Sequence, residues 1–139
     1  MKPVFVDTSG WASLLDRNEG FHKKADAVYS AIRQSGAKLV TSNYIIAELT
    51  AVLMSPLRLP KPRIITYVHG IKSSDSVEIV HVDESLDHRS WTLLTEREDK
   101  NWSLIDCSRF VIMQDRDISD ALTADHNFEQ AGFVQLLKY

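Results

Sequence analysis

The chain alternates very short strand-like runs with longer stretches of helical periodicity, and this restricts its possible folds more than any other feature. Val4-Phe5-Val6, Leu39-Val40, Val77–Val82, Ala121-Leu122 and Phe133-Val134 read as strands. Strand and helix in alternation specify an α/β fold with a largely parallel sheet. The run at Val4-Phe5-Val6 reads as a buried strand. At 139 residues the chain is expected to form one domain, residues 1–139, with a core of its own.

The helical stretches carry their own punctuation. Gly10–Asp16 reads as a short helix. Phe21, Ala25, Val28, Tyr29 and Ile32 recur at helical spacing, and Gly36 closes that helix. Ser42 or Asn43 can cap a helix bearing Ile45, Ile46, Leu49, Val52 and Leu53. The stretch Pro56–Pro62 interrupts it, and another helix follows to about Ile71. Asp83 can cap the helix bearing Leu86, Trp91 and Leu94, and Ser103 starts one running to about Gln114. A short helix near Phe128 precedes the last strand.

Four acids fall where chain direction changes between elements. Asp7 follows the first strand, Asp125 follows the strand at Ala121-Leu122, and Glu48 and Asp106 lie in the opening turns of helices. In open parallel sheets, ligands bind outside the carboxyl ends of the strands, so all four are expected at one edge. Each acid also has a plainer reading. Asp7 can cap the helix that begins near Gly10. Glu48 can sit at an exposed helix edge, although Tyr44, Ile45, Ala51 and Val52 place it beside the apolar face. In Ser103-Leu104-Ile105-Asp106 the acid can close a capping box, or pair with Arg109 three residues on. Asp125 can cap the short helix after it. Thr123 either orients a nearby carboxylate or is an ordinary strand threonine. Gathered in one pocket, four carboxylates would bind a hard divalent cation, and such a cation beside an anionic substrate points to phosphodiester chemistry.

Bulk properties exclude little. With 44% hydrophobic and 25% charged residues the composition is that of an ordinary globular protein. No apolar run approaches the roughly 20 residues of a membrane-spanning helix, and Met1-Lys2-Pro3 leads into a strand without a signal-peptide pattern. Cys107 is the only cysteine, which precludes an internal disulfide and fits a reducing cytoplasm. A net charge of −3 disfavours nucleic-acid binding overall, but a local basic patch or a bound metal can reverse the field where it matters.

With these residues in place, the chain resembles a PIN domain, and in particular the small free-standing VapC-type toxins of prokaryotic toxin–antitoxin modules. The resemblance covers essentially the whole chain. It is carried by Val4-Phe5-Val6-Asp7-Thr8-Ser9, Ala47-Glu48-Leu49, Ser103-Leu104-Ile105-Asp106, and the stretch from Thr123 to Phe133. It implies a three-layer α/β/α sandwich around a central, mainly parallel sheet. It implies an endoribonuclease dependent on Mg²⁺ or Mn²⁺, with Asp7, Glu48, Asp106 and Asp125 as the catalytic, metal-holding acids and Thr8, Ser103 and Thr123 as supporting polar residues. It also implies an RNA substrate, a homodimer, a cognate antitoxin that blocks the site, and a cytoplasmic, non-membrane setting.

Other readings compete. A haloacid-dehalogenase-type phosphatase needs a second Asp two residues after the first, where Ser9 stands here. A response-regulator receiver needs paired early acids before its phosphoacceptor, and Val77–Val82 leads to Asp83 without them. A non-catalytic PIN-fold module binding RNA or protein is the serious alternative. Arg58, Lys61 and Arg63 can contact phosphates or form a solvated loop. Trp11, Trp91 and Trp102 read as core or interface residues rather than base-stacking platforms. No pair of histidines has zinc-ligand spacing, and Cys107 reads as a small buried side chain.

Overall fold

The computed structural model describes residues 1–139. Strands β1 (Val4–Val6), β2 (Leu39–Ser42), β3 (Val77–Val80), β4 (Asp120–Leu122) and β5 (Val134–Gln135) form one wholly parallel sheet in the order β3-β2-β1-β4-β5. Seven helices connect them: α1 (Thr8–Leu15), α2 (His22–Ser35), α3 (Asn43–Met54), α4 (Lys61–Ser73), α5 (Glu84–Glu96), α6 (Leu104–Asp115) and α7 (Asn127–Gln130). The architecture is the expected α/β/α sandwich. No helix is long and apolar enough to cross a membrane.

Burial follows position in the sheet. Every residue of β1 and β2 is buried, whereas β3, at one edge, is only half-buried along its length. Central strands of a parallel sheet lose both faces to helices: β1 is apolar throughout, and the buried hydroxyls of β2 are satisfied, Thr41 donating to the Val6 carbonyl and Ser42 accepting from the Ile45 amide. Val77–Val82 was expected as one strand, but pairing stops at Val80, opposite Ser42. Ser42 leaves the sheet to cap α3, so β3 has no partner beyond that point. The Val82 amide instead donates to the Asn43 side chain at 2.7 Å.

The helix ends obey local chemistry. Ser42 accepts from the Ile45 amide, Asp83 from the Leu86 amide, and Gly36 ends α2 in the left-handed region at φ 77°. Helix α4 begins inside the proline stretch, because a proline in the first turn loses no helical hydrogen bond. Trp11 and Trp102 are buried in the core, as expected. Trp91 is 54% exposed and is not a core residue, because the α5 face that packs inward carries Leu86 and Ser90 instead.

The topology positions the site. From β1 the chain steps outward through β2 to β3, then returns by α5 and α6 to β4 on the other side of β1. The gap between the carboxyl ends of β1 and β4 is therefore the switch point, the place where α/β sheets bind ligands. Gly10 makes the approach possible: a Cβ there would lie 2.2 Å from the Leu122 carbonyl oxygen. With no side chain in the way, the first turn of α1 seats against the end of β4, and the Asp7 amide donates to the Leu122 carbonyl at 3.2 Å.

Candidate active site

Asp7 leaves β1 at the start of α1, yet its side chain does not cap that helix. It is buried, and its Oδ2 accepts a 2.8 Å hydrogen bond from Thr123 Oγ1, just beyond β4. Of the two readings of Thr123, the carboxylate-orienting one describes the structure. Thr123 Oγ1 also accepts from the Asp125 amide at 3.0 Å, so one hydroxyl fixes the orientation of Asp7 and the loop bearing Asp125.

The other three acids arrive from different elements. Glu48 projects from α3 with its side chain 30% exposed, and Thr8 Oγ1 donates to its Oε1. Asp106 serves two purposes. Its Oδ2 accepts from the Ser103 amide and its amide donates to Ser103 Oγ, completing the capping box, while Oδ1 points into the pocket. Asp125 accepts the Asn127 amide on Oδ1, a local turn bond, and directs Oδ2 inward.

What joins them is Arg109 of α6. Its Nη2 lies 2.6 Å from Glu48 Oε1, its Nη1 3.0 Å from Asp106 Oδ1 and 3.9 Å from Asp125 Oδ2, and its Nε 3.1 Å from Asp7 Oδ1. Its Cζ lies 5.9 Å from the centre of the Phe128 ring, which floors the pocket. The sequence suggested only the local pairing with Asp106. A charged residue within Cys107–Met113, a run that is buried throughout, was the available signal. Ser9 was also missed as a supporting residue. Its hydroxyl lies 3.2 Å from Thr123 Oγ1 and accepts from the Ala124 amide at 2.9 Å, tying α1 to the β4 loop.

Burial pushes the Asp7 carboxyl above the usual carboxylate range, against the opposing pull of Arg109 and the hydrogen bond from Thr123. Asp7 Oδ1 and Arg109 Nε are close but misaligned, so both are buried without a hydrogen-bond partner. Beside the pocket, burial and then Asp106 push the Cys107 thiol up to about 11, so it is protonated and unreactive at neutral pH. The donor set is that of a hard cation site: carboxylates from four elements, with one buried oxygen lacking a partner. The spacing, however, is set by a guanidinium, and no three His, Cys, Asp or Glu side chains converge closely enough to hold a metal ion.

The PIN domain family model matches residues 4–134. The chain belongs to the PIN domain family. This PIN domain is 28% identical over 133 residues to the 23S rRNA-specific endonuclease VapC20 of Mycobacterium tuberculosis, in strains CDC 1551 / Oshkosh and ATCC 25618 / H37Rv, across 96% of this chain and 97% of the relative. It also superposes on the crystal structure of M. tuberculosis VapC20, described as a sarcin-ricin loop cleaving toxin, with a TM-score of 0.81 and 26% identity, covering 95% of this PIN domain and 97% of that chain.

Proposed function

We propose that this chain is a metal-dependent endoribonuclease and the toxin of a toxin–antitoxin pair. The observation that carries the reading is the meeting of Asp7, Glu48, Asp106 and Asp125 around one buried cation at the sheet's switch point. Similarity to VapC20 along nearly the full length of both chains supports RNA as the substrate class. It makes 23S rRNA the first RNA to offer.

Asp7, Glu48, Asp106 and Asp125 would hold Mg²⁺ or Mn²⁺. A bound divalent ion lowers the pKa of a coordinated water and offsets charge developing on the scissile phosphate. The chain's own residues supply the rest. Thr123 keeps the Asp7 carboxylate aimed out of the β1 end, Thr8 steadies Glu48, and Ser103 fixes the Asp106 carboxyl through the capping box. Glu48 and Asp125 are the most solvent-accessible of the four, which makes them the acids able to take a proton from attacking water at the pocket mouth. A homodimer, a protein antitoxin that occludes the site, and a cytoplasmic setting complete the reading.

A second reading has an observation in its favour. Arg109 already hydrogen-bonds Glu48 and Asp106 and lies beside Asp7, and no three acids converge on a metal-sized point, as expected of a PIN-fold binding module without catalysis. One experiment separates the two. Purified chain and its Asp7→Asn variant are incubated with 23S rRNA and Mn²⁺, with and without EDTA. The enzyme reading expects wild-type cleavage that is lost on chelation and in the variant; wild-type cleavage matched by the variant and resistant to EDTA defeats it.

A further inference from the structure

Arg109 is the one charged group in the pocket that the proposed chemistry does not require. Its side chain is 5% exposed, it rests on Phe128, and it reaches three acids at 2.6 to 3.1 Å. A guanidinium presents its donors along the edges of a planar fork. Carboxylates gathered around that fork stand farther apart than those around an octahedral ion, whose oxygen ligands sit at about 2.1 Å. No three acids converge on a metal-sized point. Yet Asp7 Oδ1, buried and without a hydrogen-bond partner, retains its lone pairs, because the Nε–H beside it is not aimed at it. The guanidinium thus fills the seat while leaving its deepest donor unsatisfied.

We propose that Arg109 is a built-in occupant of the metal seat, and that a divalent ion binds by displacing its guanidinium from Asp7 and Asp106. The inference rests on reading the pocket as a metal-dependent nuclease site. Two cations drawn to the same carboxylate oxygens repel each other, so the intrinsic affinity for metal is reduced by the work of moving the arginine. In return, the carboxylates are never left without a counter-charge, and the fold does not depend on metal. Arg109 is in this sense a positioning residue. It sets the metal concentration at which the site fills, and it need not touch the substrate.

The test is a Mn²⁺ titration of wild type and Arg109→Met by calorimetry, with Mg²⁺ titration of the wild type followed through the arginine Nε–H resonances. Methionine keeps an apolar stem over Phe128 without the charge. The expected result is Mn²⁺ binding at least about tenfold tighter in Arg109→Met, and a shift of the Arg109 Nε–H signal that saturates with Mg²⁺. The second measurement uses only the wild type for its readout, with Arg109→Lys serving to assign the signal, so it stands if the methionine variant fails to fold. Equal or weaker binding by a folded Arg109→Met, or an Arg109 resonance unmoved at Mg²⁺ saturation, overturns the inference and leaves the nuclease reading intact. If wild type and variant bind neither ion while RNA cleavage persists in EDTA, the metal-dependent reading falls and the inference falls with it.

Discussion

Arg89 and Arg109 both face carboxylates at hydrogen-bonding distance, and they show how little distance alone says. Arg89 of α5 meets Asp115 of α6 through two bonds of 2.8 and 2.5 Å, with the side chains 49% and 40% exposed. Arg109, less than two turns before Asp115 on α6, makes contacts of similar length to three acids but is 5% exposed. Around the exposed pair, water and salt screen the charges and replace either partner when it is removed. Around Asp7 and Asp106 water has little access, and a charge that loses its partner there stays buried. Both arrangements help join elements, but only the buried one holds charge away from solvent screening.

Four substitutions sharpen that contrast, in descending order of effect. Asp7→Asn removes the deepest carboxylate, and cleavage of RNA in Mn²⁺ should fall about a thousandfold, since a metal-centred site supplies several kcal/mol to the transition state. The same variant should melt at or above the wild-type temperature, because burial disfavours the charge it removes. Arg109→Met in EDTA should lose about 3–5 kcal/mol in urea unfolding, the cost of leaving buried carboxylates uncompensated, and millimolar Mn²⁺ should restore part of it. Gly10→Ala should cost about 1–3 kcal/mol by the same assay, because its Cβ meets the Leu122 carbonyl and α1 must shift. Arg89→Ala should cost less than about 1 kcal/mol, and less still in high salt. If Arg89→Ala proved as damaging as Arg109→Met, burial would not be what separates the two arginines.

The parts of this molecule legible in its sequence are those fixed by neighbours along the chain. The caps at Ser42, Asp83 and Ser103 and the stop at Gly36 each depend on residues within a turn, and each stands where the residue types place it. The four acids were legible as a set because parallel topology carries strand ends to one edge. Arg109 was not. Its nearest acid in sequence, Asp106, is three residues away and gives the impression of an ordinary helix pair, whereas Asp7, Glu48 and Asp125 reach it only through the fold. The end of β3 was misjudged for a related reason: Val82 has strand character, but β2 turns into α3 at Ser42 and leaves it no partner. Trp91 reads as a core or interface residue from its apolar neighbours, and the packing of α5 removes only the core half of that reading.

The central claim is that the four acids form one metal-dependent catalytic site. The most direct measurement is the rate of 23S rRNA cleavage as a function of Mn²⁺ for wild type and the single variants Asp7→Asn, Glu48→Gln, Asp106→Asn and Asp125→Asn, each shown to be folded by its melting curve. The account predicts Mn²⁺-dependent cleavage by wild type and a loss of at least about a hundredfold in every folded variant. Wild-type rates retained by all four variants, with cleavage unaffected by EDTA, would contradict it.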